Sequence, residues 1–215
     1  MLDISDLTVR IGSVAVLRNV ALSLPAGTMT GLFGRNGAGK TSLLRAIMGS
    51  LPVAGGDIRL DGAGLAGVPS HRRAHLGVGY MPEDRKLVPD LTVADNIRMP
   101  LHAGVPVGTD RVTRALDLMP EVAAMLPRRA SQLSGGQQKL VALARALVTG
   151  QRLLLLDEPS EGIAPVLARR FAEILSRLKG TGLTVLVAES DERYVDDLVD
   201  RCYRIERGEI FAQPR

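Results

Sequence analysis

The chain opens on an alternating pattern. In "LDISDLTVRI", residues 2–11, apolar and polar positions trade places, and Gly12–Ser13 interrupts them. "NVALSLPAGTMTGLFG", residues 19–34, then carries two more short runs on either side of Pro25–Gly27. Period two is the strand period, so this region predicts β-structure joined by tight turns. From Thr41 the period lengthens. Leu43, Leu44, Ile47 and Met48 share one face and Gly49 closes it, which predicts a helix. A further strand is expected near Asp57–Leu60. Residues 83–148 show no strand pattern. Their apolar residues fall into helical runs near Val93–Leu101, Asp110–Leu118 and Gln137–Val148, punctuated by prolines, so a helical insert is expected.

Beyond it, Leu153–Leu156 and Thr184–Ala188 are apolar throughout, as strands buried on both faces require. Between them Pro165–Lys179 places Leu167, Phe171, Ile174 and Leu178 on one helical face, with Gly180 as the stop. "CYRIERGEIF" reads as a hairpin over Arg207–Gly208. Strand, helix and strand in alternation imply an α/β fold with a largely parallel sheet.

Composition narrows this picture only a little. A chain of 215 residues with 46% hydrophobic content can bury one sizeable core. The single cysteine, Cys202, forms no internal disulfide, reads as a small core residue on a strand, and fits a reducing compartment. The N-terminal stretch lacks the basic segment of a signal peptide. The longest apolar runs are far below the ~20 residues that cross a bilayer, so a soluble chain is expected. A net charge of +4 and a pI near 9.6 admit an anionic partner. The basic residues are dispersed as Arg72–Arg73, Arg128–Arg129 and Arg169–Arg170, however, and 3% aromatics leave little to stack on bases, so no nucleic acid is expected.

The chemistry is concentrated in three motifs. "GRNGAGKT", Gly34–Thr41, fits G-x-x-x-x-G-K-S/T between a predicted strand and a predicted helix. Its glycines let backbone N–H groups turn inward onto phosphate oxygens, and the helix N-terminus adds partial positive charge. Gly34, Arg35, Asn36, Gly37, Ala38, Gly39, Lys40, Thr41 and Ser42 are therefore the candidate phosphate cradle. Lys40 is expected on the β- and γ-phosphates and Thr41 on a magnesium ion. "LLLLDEP" sets Asp157 and Glu158 at the end of a buried strand. Asp157 suits the magnesium shell, and Glu158 is placed to orient an attacking water. "LSGGQQ", Leu133–Gln138, opens a helix with Ser134, Gly135, Gly136 and Gln137, a second N–H-rich anion site.

In this order the three motifs resemble the ATP-binding subunits of ABC transporters, along nearly the whole chain. That resemblance implies an α/β nucleotide-binding core with an antiparallel β subdomain at its start (1–82 and 149–215) and a helical subdomain at 83–148. It also implies ATP and Mg²⁺ as ligands and a head-to-tail pair of ATPase subunits, in which Ser134, Gly135 and Gly136 meet the γ-phosphate of ATP held by the partner. "LLLLDEPSEGIAP" and "GYMPEDRKLVPDLTVADNI" are similar to the shorter ATPase of branched-chain amino acid and urea importers, in which Ala164 replaces a common aspartate. The expected partners are a second ATPase, a copy or a different chain, with two transmembrane permease subunits and a periplasmic or extracellular substrate-binding protein. A permease helix is expected in a groove near Val88–Val93. The place implied is the cytoplasmic face of a bacterial inner membrane.

Three positions depart from the superfamily. Glu83 stands where a loop glutamine ligates magnesium, either as a ligand or as a plain exposed acid. Ile11 stands where an aromatic stacks on adenine; it either covers the base by apolar contact or is a core isoleucine. Ser190 stands where a histidine contacts the γ-phosphate. It either makes a shorter, uncharged contact or caps the segment that begins at Asp191. The function expected is ATP hydrolysis driving import, with two alternatives: a soluble ABC ATPase acting on nucleic acid or the ribosome, and a nucleotide-binding regulator without turnover.

Overall fold

The computed structural model describes residues 1–213; the last two positions of the 149–215 segment lie outside the described residues. The first layer is a four-stranded antiparallel sheet in the order β2-β1-β4-β5. Its strands are β1 (Leu2–Ile11), β2 (Val14–Leu24), β4 (Val53–Leu60) and β5 (Ala63–Gly64). The second sheet runs β10-β9-β3-β8-β7-β6. Its members are β3 (Met29–Phe33), β6 (Val78–Met81), β7 (Leu153–Asp157), β8 (Thr184–Glu189), β9 (Arg201–Glu206) and β10 (Glu209–Gln213). Pairings from β9 through β6 are all parallel, and β10 returns antiparallel on the edge.

Every residue of β3, β7 and β8 is buried, which explains why their sequences are apolar runs rather than alternations. Their side chains divide by parity. Leu154, Leu156, Val185 and Val187 join one core, with Phe171 and Ile174 of α7 (Pro165–Leu178) and the helical segment. Leu153, Leu155, Leu186 and Ala188 join the other, with α1 (Lys40–Ile47) and the antiparallel sheet. The parallel sheet is thus the wall between two apolar layers, and its carboxyl ends emerge where both layers stop.

Between β6 and β7 the chain is helical: α3 (Val93–His102), α4 (Thr109–Leu118), α5 (Pro120–Ala123) and α6 (Gly135–Thr149). Thr92 caps α3 by accepting from the Asp95 N–H. Three elements fall in a stretch to which the hydrophobic pattern assigns nothing: the two-residue β5, α2 (Ser70–His75) and β6. Four residues of strand are too few to show a period, and β6 acquires its conformation by pairing with β7. Cys202 is buried on β9.

Candidate nucleotide site

The phosphate loop leaves β3 and enters α1 with Gly37 at φ 80° and Gly39 at φ 119°, left-handed conformations that glycine alone adopts without strain. The loop is docked rather than free. The Gly34 N–H donates to Glu189 O (3.2 Å), the Ala38 N–H to Arg35 O (3.0 Å), and the Gly208 N–H to Ala38 O (2.9 Å). The β9–β10 turn at Arg207–Gly208 therefore closes against the cradle.

A cavity of about 500 Å³ opens over it, a size that suits a small-molecule ligand. From the expected cradle, Asn36, Gly37, Gly39, Lys40, Thr41 and Ser42 line it, together with Glu83 and Glu158; Gly34, Arg35 and Ala38 do not. Lys40, 4% exposed, donates to Gly34 O and Arg35 O and pairs with the Glu158 carboxylate at 2.9 Å. The Thr41 hydroxyl donates to Asp157 Oδ1 (3.0 Å), and the Tyr80 hydroxyl donates to Oδ2 (3.1 Å). Asp157 has no solvent exposure; burial pushes its carboxyl up to about 6, against the pull of Thr41 and Tyr80. A buried carboxylate behind a hydroxyl that faces the cavity is a pair of hard oxygen donors, and it fits a magnesium ion that takes the rest of its shell from water and phosphate. No three acidic, histidine or cysteine side chains gather into a self-sufficient metal site among the described residues.

Glu158 is held in a left-handed conformation, φ 49°. Its N–H donates to Ala188 O (2.9 Å), and its Oε2 accepts from both the N–H (3.0 Å) and the hydroxyl (3.1 Å) of Ser190. Ser190 therefore does not cap the following segment. That cap is Asp191, which accepts from the Arg193 N–H. Nor does Ser190 line the cavity. Its hydroxyl is on the glutamate, because β8 ends beside β7 in register.

Ile11 is 53% exposed and so is not a core residue, and it does not line the cavity. Val14, paired with it across the Gly12–Ser13 turn, lines the cavity with Val16 instead. Glu83 is exposed and on the cavity wall, so both readings of it remain compatible with its position.

The "LSGGQ" segment sits away from this cavity. Ser134 caps α6 in a capping box with Gln137, whose N–H bonds the serine hydroxyl (3.3 Å) while its amide oxygen accepts from the Ser134 N–H (3.0 Å). Ser134 and Gly135 are exposed, Gly136 and Gln137 half-buried, and none of the four lines the phosphate cavity.

Sequence reasoning missed several residues here. Arg18, Glu161, Arg207 and Gly208 line the cavity. Tyr80 holds Asp157. Beneath Glu158 lie two further buried ionisable groups, Glu189 and Lys139. For Glu189 the signal was available, since it is a charge at the end of an apolar run; the others depend on tertiary contacts.

A glycine-rich cradle at a helix N-terminus, with a carboxylate behind its threonine and a second carboxylate one residue on, defines a P-loop nucleotide-binding protein. Comparison with known proteins takes this further. The ABC transporter family's sequence model matches residues 17–161, and the chain belongs to that family, as the ATPase subunit of a transporter. It is 35% identical over 214 residues to the "high-affinity branched-chain amino acid transport ATP-binding protein BraG" of Pseudomonas aeruginosa, covering 98% of this chain and 91% of that one. It is 32% identical to a "probable branched-chain amino acid transport ATP-binding protein LivF" of Archaeoglobus fulgidus (91% and 84% covered). The same identity holds to the "lipopolysaccharide export system ATP-binding protein LptB" of Escherichia coli (92% and 83%). A nucleotide-free ATP-binding cassette from an ABC transporter superposes with a TM-score of 0.87 at 26% identity, covering all of this chain and 91% of that one. A dimeric bacterial cassette superposes with a TM-score of 0.87 at 23% identity, covering 98% and 96%, a likeness of fold.

Proposed function

We propose that this chain is the ATP-hydrolysing subunit of an importer for branched-chain amino acids or a related small polar solute. The observation that carries this reading is the 35% identity to BraG along nearly the full length of both chains. In it, residues Gly34 to Ser42 hold the phosphates, Lys40 leaves Glu158 for the β- and γ-phosphates, and Val14 with Val16 covers the base. Thr41 and Asp157, with Glu83 at the rim, hold a magnesium ion, which when bound neutralises charge on the phosphate oxygens. Glu158, freed of its lysine and still held by Ser190, orients the water. Ser134, Gly135, Gly136 and Gln137 complete the site of a second ATPase subunit. Ser190 offers no charge where a histidine would, so this chain's own site turns over more slowly than the one its signature completes.

The helical segment 83–148 is read as the arm that meets the membrane subunits, from the cytoplasmic face of the inner membrane. The groove that suits a permease helix is a cavity of about 710 Å³, with Met48, Leu51, Tyr80, Met99 and Val105 among its walls. The expected Val88–Val93 stretch offers two further exposed apolar residues, Val88 and Leu91. Val93 is fully buried, and the fully buried side chain of Asn96 ties that loop down through Val88, Leu91 and Thr92. No described helix is long and apolar enough to cross a membrane. A second reading, lipid export, is favoured by the 32% identity to LptB.

The test is ATPase activity of this chain purified with its co-expressed membrane subunits in proteoliposomes. Stimulation by a binding protein loaded with leucine, isoleucine or valine supports the import reading, and Glu158→Gln removes that activity while nucleotide binding persists. Stimulation by a lipid substrate and by no amino acid replaces it with export. Ser190→His is expected to raise turnover at this chain's own site, measured in a single-turnover experiment with the partner's site disabled.

A further inference from the structure

Glu189, at the end of β8, is 1% exposed. Its Oε1 accepts from the Ser160 N–H at 2.8 Å, while its Oε2 is fully buried and has no partner. Glu158, itself 3% exposed, is bonded to the residues on either side of Glu189: its N–H donates to Ala188 O and its Oε2 accepts from Ser190, so the two carboxyls share one buried region. Two ionised carboxylates offer only acceptors to each other, and at this burial they repel strongly. Lys40, on α1, is already engaged by Glu158. Lys139, on α6, is the other buried cation facing the pair. Its ammonium donates to the main-chain oxygens of Glu158 and Glu161, 2.5 Å each, and makes no ion pair within 4.0 Å of Glu189 among the described residues. The half-buried Glu161 carboxylate adds negative charge on the same side. A proton on Glu189 removes the repulsion and gives the partnerless oxygen a bond.

We propose that Glu189 is a carboxylic acid whose O–H donates to the Glu158 carboxylate, making Glu189 a positioning residue for ATP hydrolysis. Burial raises the Glu189 carboxyl to about 8, opposed by Ser160 and reinforced by Glu158, which agrees with that protonation state at neutral pH. The consequence rests on the role proposed above for Glu158. Once Lys40 turns to the phosphates, Glu158 keeps three donors from one strand end: the Ser190 N–H, the Ser190 hydroxyl and the Glu189 O–H. These fix the glutamate at a site where position 190 supplies no histidine.

Two substitutions separate this from a packing role. Glutamine at 189 keeps an acceptor for Ser160 and a donor for Glu158, whereas methionine fills the space with neither. Glu189→Gln is expected to keep kcat within about threefold of wild type. Glu189→Met is expected to lose kcat ten- to a hundredfold with KM for ATP unchanged, the size of effect that mispositioning produces. Infrared spectroscopy of the nucleotide-free protein at neutral pH is expected to show a carboxylic-acid C=O band that Glu189→Gln abolishes. The proposal is overturned if no such band is lost, if Glu189→Met turns over like wild type, or if glutamine is as damaging as methionine. Hydrolysis that survives Glu158→Gln would instead remove the role given to Glu158, while the infrared band would still decide whether Glu189 carries the proton.

Discussion

The Lys40–Glu158 pair makes a quantitative prediction about the nucleotide-free protein. Both side chains are 4% exposed and 2.9 Å apart, and Asp157 and Glu189 are further carboxyls close to Glu158. Replacing Lys40 with methionine keeps the volume and strands the glutamate. Removing one partner of a buried pair costs roughly 3–5 kcal/mol. The two Ser190 donors persist and offset part of that, so a loss of about 3 kcal/mol is expected. For a chain of this size that corresponds to a melting point lower by ~6–12 °C. Glu158→Gln in the same background removes the stranded charge and is expected to restore about 2 kcal/mol, so the pair of changes is strongly non-additive. The assay is thermal and urea unfolding of all four proteins with a chelator and no nucleotide. The reasoning is refuted if Lys40→Met melts within ~2 °C of wild type, or if the double variant is no more stable than Lys40→Met.

Three other outcomes are expected. A Cβ on Gly34 would stand 2.4 Å from Ile205 O, a main-chain atom that cannot yield, so Gly34→Ala should cost about 1–3 kcal/mol and weaken nucleotide binding. Gly37→Ala meets nothing within 4 Å and bears only the strain of φ 80°, about 1 kcal/mol; urea titrations that reverse this ranking would contradict the docking of the loop on β9. The Asp157 carboxyl is raised to about 6 from an unfolded value near 4, so its contribution to stability is full below about pH 4 and is lost as pH rises through about 6. Metal-free Asp157→Asn should therefore match wild type near pH 4 and exceed it above pH 6, by roughly 3 kcal/mol at most; a constant difference across pH melts would count against this. Asn96→Leu removes the bonds to Val88, Leu91 and Thr92 and should speed hydrogen exchange at the Val88 amide, with protection in the parallel sheet unchanged.

The parts legible in the sequence are those whose cause is local. Helix α7 ends at Leu178, one residue short of the expected Lys179, because its apolar stripe and the glycine after it are local signals. The two apolar runs became central strands, because burial on both faces leaves no polar position to blur them. Strand β6 was invisible, since its conformation belongs to β7. The cradle was legible because glycine, lysine and threonine must occupy fixed places along one loop. What it rests on was not. That Gly208 backs the loop follows from a hairpin closing over residues more than 150 positions away, and that Val14 and not Ile11 reaches the cavity follows from how the β1–β2 hairpin packs on the loop, which a period-two pattern does not show. Ser190 was read by what it lacks, and its partner was out of view because Glu158 lies on a different strand.

These contacts give the missing histidine a different meaning. In the nucleotide-free state Lys40 and Glu158 occupy each other: the cation that would meet phosphate and the carboxylate that would orient water form one ion pair. On the roles proposed for them, neither group is free until a polyphosphate outcompetes the glutamate for the lysine. The side chain at position 190 then has a second task besides carrying charge to the reaction. On the proposed roles that task is to retain Glu158 after the lysine leaves, which the Ser190 hydroxyl and N–H do at hydrogen-bond range. On this logic Ser190→His gains a phosphate-directed group and loses a Glu158-directed one. Its benefit to turnover should therefore be largest when Glu189 still donates and should vanish in Glu189→Met.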